Sequence, residues 1–297
     1  MSRSGFIALA GRPNVGKSTM VNAIVGSKVA IVSDKPQTTR NRILGVKNSE
    51  RGQVIFVDTP GIHRPLHRLN VRMVDTAMES MRDVDLVVLV VDASEKTGGG
   101  DKFMAGVVRK LAAPVALVLN KVDLVSRPRL LPIIEAWSRE HTFADIIPLS
   151  AGSGENVDRL EHAIWRHLPE GEPLYPVDYL TDQPERFFVS ELVREQVLQH
   201  THAELPYSTA VVVDKFDEPD EKGLMRLYCS IIVERESQKA IVVGRAGDMI
   251  KRIGTAARLE LERFFGARVF LDLHVKVKTE WRNDERLLDD LLKPPTG

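Results

Sequence analysis

Residues Gly11 to Ser18 read G-R-P-N-V-G-K-S, two glycines followed by a lysine and a hydroxyl residue at the spacing of a phosphate-binding turn. Phosphate is a dense anion, and a glycine-rich turn running into a helix start aims several unpaired N–H groups at one point. Gly11 and Gly16 let the backbone approach, and Arg12, Pro13, Asn14 and Val15 complete the loop. Lys17 is placed to reach the β and γ phosphates as a point charge. The Ser18 hydroxyl, followed by Thr19, is placed to bind Mg²⁺, which prefers oxygen ligands and keeps several waters. This is a Walker A loop.

A second element selects the base. Asn120 to Asp123 read N-K-V-D, and the Asp123 carboxylate can accept two hydrogen bonds from the guanine N1–H and 2-amino group, which adenine cannot supply. ATP would leave that carboxylate unpaired and desolvated, a loss of at least ~1–3 kcal/mol. Asn120 is expected to brace the Walker loop and contact the base, with Lys121 packed along it. Ser150, Ala151 and Gly152 follow the last strand-like run and are expected to supply a backbone N–H for guanine O6. The ligands implied are GTP and GDP.

Between these lies Asp58-Thr59-Pro60-Gly61, a D-x-x-G element directly after an apolar run. Asp58 would hold Mg²⁺ through water, and the Gly61 N–H would sense the γ-phosphate, so that loss of the phosphate releases the following loop. A further Mg²⁺ hydroxyl ligand belongs in the polar stretch Lys35 to Asn41, whose nucleotide-responsive part is Gln37 to Asn41. Thr39 is the choice and Thr38 the alternative. Lys17, Thr39 and Gly61 therefore carry the catalytic expectation. The residue after Gly61 is Ile62, which cannot orient an attacking water as the glutamine of Ras-like enzymes does. Slow intrinsic turnover follows, with His63 as the nearest polar candidate.

These elements need a scaffold. Up to about Leu168, β-rich runs (Phe6–Ala10, Val54–Asp58, Asp85–Asp92, Pro114–Asn120, Ile146–Leu149) alternate with helical segments, which predicts a doubly wound, mostly parallel α/β sheet. The motifs fall where strands end and loops begin, the place where such folds bind ligands. Residues 169–184, P-E-G-E-P-L-Y-P-V-D-Y-L-T-D-Q-P, break both periodicities and read as a linker. Beyond it, 185–297 predict a smaller α+β domain: a helix over Glu185–His200, strands near Ser208–Phe216 and Leu224–Glu236, a helical block over Gln238–Phe265, and a strand over Arg268–Lys278. In that last strand Val269, Leu271, Leu273, Val275 and Val277 alternate with mostly polar neighbours.

Gly244-Arg245-Ala246-Gly247 is a G-x-x-G turn between a short helix and a longer one striped by Ile250, Ile253, Ala257, Leu261 and Phe265. That layout is a KH module, whose turn clamps the backbone of about four nucleotides of single-stranded nucleic acid. From Lys239 to Lys278 nine basic residues face four acidic ones, a local excess of five. Arg245, Lys251, Arg252, Lys276 and Lys278 are the expected RNA contacts.

Composition sets limits. The 297 residues are 43% hydrophobic with zero formal net charge, so no global field draws the molecule to nucleic acid or an anionic surface. Cys229 is the only cysteine, which excludes an internal disulfide and suits a reducing cytosol. No apolar run approaches the ~20 residues of a membrane span, and no signal-peptide core stands at the N-terminus. A cytoplasmic monomer is expected.

Five ordered elements make the first domain similar to translation-factor-related GTPases. Joined to a KH domain, and with P-Q-T-T-R, V-D-T-P-G, E-L-P-Y at Glu204–Tyr207, V-E-R-E at Val233–Glu236 and V-K-V-K at Val275–Lys278, the chain resembles the Era family of bacterial GTPases along nearly its whole length. The resemblance implies a type II KH domain and a GTP-dependent assembly factor for the small (30S) ribosomal subunit. It implies binding near the 3′ end of 16S rRNA, with peripheral association at the inner face of the cell membrane in some members. Many relatives carry lysine within G-x-x-G, where this chain has only Arg245 as a charge. Resemblance to potassium-activated tRNA-modification GTPases, which share an asparagine at the Asn14 position, implies a K⁺ ligand there. Two other readings stand beside this one. One is a nucleotide-gated RNA-binding module with marginal hydrolysis; the other is a GTPase whose second domain docks a protein or membrane surface, with Arg282–Leu292 as an amphipathic helix bearing Leu287, Leu288, Leu291 and Leu292.

Overall fold

The computed structural model describes residues 2–35, 37–62, 67–202 and 205–292. His63 lies outside them. Contacts divide the chain into two compact units, the first holding most of the chain up to Asp182 and the second the chain from Gln183 on, with short segments at residues 33–35 and 67–69 grouped with it.

The first unit starts with β1 (Arg3–Ala10), the Walker loop and α1 (Lys17–Val25), then β2 (Ile43–Ser49), β3 (Gly52–Asp58) and α2 (Arg68–Glu79). It continues with β4 (Leu86–Asp92), α3 (Gly99–Val108), β5 (Val115–Asn120), α4 (Leu130–Glu140), β6 (Asp145–Pro148) and α5 (Val157–His167). The six strands form one sheet in the order β2-β3-β1-β4-β5-β6, parallel except for the β2–β3 pair. Every residue of β4 is buried, as expected of a strand covered on both faces. Alternation splits the core: Ile7, Leu9, Phe56, Val88 and Val118 pack with Met20, Leu160 and Ile164 of α1 and α5. Ala8, Ile55, Val87, Leu89 and Leu117 pack on the other side with Ala77, Met104 and Trp137 of α2, α3 and α4.

Strand β2 was not among the predicted strands. Its sequence, I-L-G-V-K-N-S, carries a glycine and a polar end, and it forms because β3 offers seven partners from Ile43↔Asp58 to Ser49↔Gly52. As the sheet's edge it leaves outward N–H groups, and the proline-rich stretch after Pro169 takes them. Val46 N donates to Leu180 O at 2.9 Å, and Leu44 N to Asp182 Oδ1 at 3.2 Å. The Gln53 side chain, fully buried, accepts from the N–H groups of Leu174 and Tyr175 and donates to Tyr175 O. Tyr175 and Tyr179 stack with ring centroids 4.7 Å apart. Most of the stretch read as a linker is thus strapped to the first unit.

The second unit follows the order α6 (Glu185–His200), α7 (Leu205–Ser208), β7 (Ala210–Asp217), β8 (Leu224–Val233), α8 (Glu236–Val243), α9 (Asp248–Phe265), β9 (Arg268–Val277) and α10 (Glu285–Leu292). Its sheet runs β7-β8-β9, antiparallel then parallel, with α8 and α9 forming the crossover between the parallel strands. Leu227, Cys229 and Ile231 of β8, Ile253, Ala257 and Leu261 of α9, and Val189, Val193 and Val197 of α6 are buried. Ile250 and Phe265 of the expected stripe are half-buried, as are Leu271, Leu273, Val275 and Val277 of β9, where Val269 alone of the five is fully enclosed. Trp281 is wholly buried and donates Nε1–H to Ser208 O at 2.8 Å. In α10, Leu287 and Leu288 are buried while Leu291 and Leu292 are half-buried.

Candidate nucleotide and RNA sites

The Walker loop sits between β1 and α1, at the carboxyl ends of the parallel strands. Gly16 takes φ 98°, and a Cβ there would lie 2.2 Å from Asn120 Nδ2, so only glycine fits. Asn14 also has positive φ, 64°. The Lys17 ammonium is buried and donates to the carbonyls of Gly11 (3.2 Å) and Arg12 (3.0 Å), which places it inside the loop. Burial lowers its pKa to about 8, against the pull of the Asp58 charge. Thr19 is half-buried in the first turn of α1.

Three oxygen-bearing side chains converge beside it. Ser18 Oγ donates to Asp58 Oδ2 at 2.7 Å and lies 2.7 Å from Thr39 Oγ1, which is 3.3 Å from the same carboxylate oxygen. Asp58 is fully buried, and its other oxygen, Oδ1, has no hydrogen-bond partner among the described residues. Burial raises the Asp58 pKa, while Lys17, Ser18 and Thr39 oppose the rise. Two hydroxyls and one buried carboxylate with an unused oxygen suit a hard divalent cation that keeps water ligands.

The D-x-x-G segment is fastened to the Walker loop. Thr59 Oγ1 donates to Leu9 O at 2.6 Å, and Ile62 N donates to Gly11 O at 3.2 Å. A Cβ on Gly61 would meet the Pro13 backbone at 2.6 Å, so Pro60-Gly61 lies directly against the loop. Ile62 is buried at 1% exposure in the core beneath, which leaves it no role in orienting water.

On the base side, Asn120 ties three loops together. Its Nδ2 donates to Val15 O at 2.7 Å, and its Oδ1 accepts from Ala151 N at 2.9 Å. Asp123 is exposed one turn beyond. Ser150 N donates to Glu155 O, so of the three residues expected to supply one N–H for guanine O6, only Gly152 has an N–H that lacks an acceptor among the described residues.

Sequence reading missed a scaffold on the segment after β4. Asp92 pairs with Lys121 at 2.6 Å and accepts from Ser94; burial alone would raise its pKa, yet the bonds from Lys121 and Ser94 hold it below the usual range. Asp101 and Glu95 pair with Arg12 at 2.7 and 2.8 Å. Arg12 therefore directs its carbonyl toward Lys17 and its side chain away, toward α3. The run T-G-G-G-D at Thr97–Asp101 was the available signal.

In the second unit the G-x-x-G turn joins α8 to α9. Gly244 has φ 74°, and a Cβ there would lie 2.6 Å from Met249 Cβ; Ala246 and Gly247 follow with φ 52° and 80°. Arg245 and Lys251 are exposed beside the turn, with no acidic partner among the described residues, whereas Arg252 pairs with Asp248. The expected basic group is not all gathered there. Leu273 faces α9, being 3.4 Å from a Cβ placed on Gly254, so by alternation Lys276 projects from the opposite face, where it pairs with Asp214 at 3.3 Å. Lys278 pairs with Asp284 at 2.7 Å.

Fold and sites together define a P-loop GTPase domain followed by a KH domain of αββααβ order. A family model described as a 50S ribosome-binding GTPase matches residues 6–121, and a KH domain model matches residues 204–282. GTPase Era of Geobacter metallireducens is 48% identical over 289 residues, 97% of each chain; that of Heliobacterium modesticaldum is 49% identical over 280 residues, 94% of this chain and 93% of the other. A solved structure of Era with MgGDPNP and nucleotides 1506–1542 of 16S ribosomal RNA superposes with TM-score 0.94 at 38% identity, covering 99% of both chains. An Aquifex aeolicus Era variant bound to GDP·AlF4⁻ gives TM-score 0.93 at 39% identity over 98% of this chain and 99% of that one. The chain belongs to the Era family of GTPases.

Proposed function

We propose that this protein is a GTP-hydrolysing switch that binds 16S rRNA near its 3′ end through the G-x-x-G turn and assists assembly of the small ribosomal subunit. The observation that carries this is the full-length likeness, 99% of both chains, to an Era structure holding a GTP analogue and the 3′ nucleotides of 16S rRNA. Residues 1–168 with the docked stretch to 182 act as the GTPase domain, and 185–297 as the RNA-binding domain.

Ser18 and Thr39 would hold Mg²⁺ with their hydroxyl oxygens and Asp58 through water; the ion supplies charge neutralisation on the β and γ phosphates. Lys17 adds a fixed positive charge, Asp123 reads guanine, and the Gly61 N–H meets the γ-phosphate. Phosphoryl transfer depends mostly on positioning and charge. Ile62 cannot itself orient the attacking water, so turnover is slow until a further group arrives. We assign K⁺ to that role with Asn14 as a ligand; equal hydrolysis in KCl and NaCl at matched ionic strength would remove it. The protein works as a cytoplasmic monomer with peripheral contact at the inner membrane face. Among the described residues no helix is long and apolar enough to cross a membrane.

Single-turnover GTP hydrolysis with and without a 16S 3′-terminal RNA tests the switch. A rate increase with RNA supports it. An unchanged rate with intact RNA binding favours the reading in which nucleotide merely gates binding, a reading to which the buried Ile62 lends weight.

A further inference from the structure

Arg12 stands inside the Walker loop, yet its guanidinium turns away from the space around Lys17. Nη1 donates to Asp101 Oδ2 at 2.7 Å and Nη2 to Glu95 Oε2 at 2.8 Å. Asp101 is buried at 4% exposure, and the same Oδ2 accepts from Gly98 N at 2.8 Å, which closes the first turn of α3. The arginine stem lies flat on the glycine run: a Cβ on Gly100 would come within 2.9 Å of Arg12 Cδ. Meanwhile the Arg12 carbonyl accepts from Lys17 Nζ. One residue thus joins the phosphate-binding lysine to a buried carboxylate at a helix start.

We infer that Arg12 is a positioning residue: clamped by Asp101 and Glu95 over Gly100, it fixes the Walker loop for nucleotide and sets how long nucleotide stays, without touching phosphate itself. The physical ground is that a planar, always-charged fork held at two points has little freedom left to lose when ligand binds. Lysine would reach one carboxylate and not both. Asp101 thereby gains a part in nucleotide retention although it belongs to none of the five nucleotide elements.

The inference rests on residues 11–18 being the nucleotide loop, and the experiment separates the two. Dissociation constants and release rates for fluorescent GDP and GTP analogues are measured for the full chain and for Arg12→Ala, Arg12→Lys, Asp101→Asn and the Arg12→Ala/Asp101→Asn pair. Each of Arg12→Ala and Asp101→Asn is expected to weaken both nucleotides about tenfold, the loss of the buried charge-assisted bond the two residues share; the second bond that Arg12→Ala removes, to the exposed Glu95, adds little. GDP and GTP should suffer equally, with faster release and a KM that rises more than kcat falls; Arg12→Lys should lie in between. The double variant should be no weaker than about tenfold, because both changes break the same buried Arg12–Asp101 contact. A double variant weakened about a hundredfold shows the two residues acting independently and overturns the inference; a loss much larger for GTP than for GDP overturns it too, by making Arg12 a direct phosphate ligand. Retention of parental affinity in both single variants overturns the inference by leaving Arg12 no part in nucleotide binding. Should Arg12→Ala fail to fold, Asp101→Asn and Arg12→Lys decide it by the same criteria. A parent chain that binds neither nucleotide would instead overturn the nucleotide reading, and the inference with it.

Discussion

Asn120 and Val15 are 105 positions apart, yet the Asn120 amide donates to the Val15 carbonyl at 2.7 Å in the buried interior. The same side chain accepts from Ala151 N, so one residue sets the shape of the Walker loop and of the loop at Ser150–Gly152. Asn120→Ala would leave Val15 O and Ala151 N without partners, at ~1–3 kcal/mol. GDP affinity should fall about ten- to a hundredfold by fluorescence titration, with RNA binding retained.

Asp123→Asn replaces an acceptor with a group that donates. Xanthine nucleotides carry a carbonyl where guanine has its amino group, so the variant should prefer XTP to GTP, with GTP affinity down at least about tenfold. Competition of XTP and GTP for one site measures it; undiminished GTP binding would place base recognition elsewhere.

The two turn glycines should differ. Aspartate at both Gly244 and Gly247 should abolish binding of a 16S 3′-terminal oligonucleotide, followed by anisotropy, while GDP affinity stays constant. Alanine discriminates them: at Gly244 it meets Met249, whereas at Gly247 the space is open. Gly247→Ala should cost only the left-handed backbone strain of ~1–2 kcal/mol. Gly244→Ala should weaken RNA binding and lower the unfolding midpoint further.

Cys229 gives the pH dependence. Burial pushes its thiol up to about 12, with Asp214 and Asp272 adding to the rise. The folded state therefore keeps a proton that the unfolded chain loses near pH 9, and folding stability declines as pH rises from there toward 12. Denaturant midpoints at stepped alkaline pH should show a slope that is shallower in Cys229→Ala. A thiol reagent at pH 8 should find no reactive group before unfolding and one after it.

The motifs were legible because phosphate and guanine recognition depends on short local strings, from G-R-P-N-V-G-K-S to N-K-V-D. The ends of β1, β3, β5 and β6 followed from the same source, since the motifs mark them. What escaped is what depends on distant partners. Ile43–Ser49 becomes a strand only against β3, and Pro169–Asp182 docks only because Gln53 and the β2 edge present hydrogen-bonding groups to it. The sequence places Arg12 in the nucleotide loop without saying where its side chain points; Asp101 and Glu95 decide that. In the second unit, counting charge over Lys239–Lys278 merged two faces, because strand alternation sends Lys276 away from α9.

A sheet edge with open N–H groups is a template for another chain's strand. The stretch from Leu174 to Asp182 fills that role from within, taking Val46 N and Leu44 N and hiding β2 from its neighbours. Its proline, Pro176, which cannot itself extend a ladder, helps make it a terminator rather than a seventh strand. The link to the RNA-binding half thus also guards the GTPase half against self-association: a chain cut or loosened here would lose the joint and expose an adhesive border in the same event.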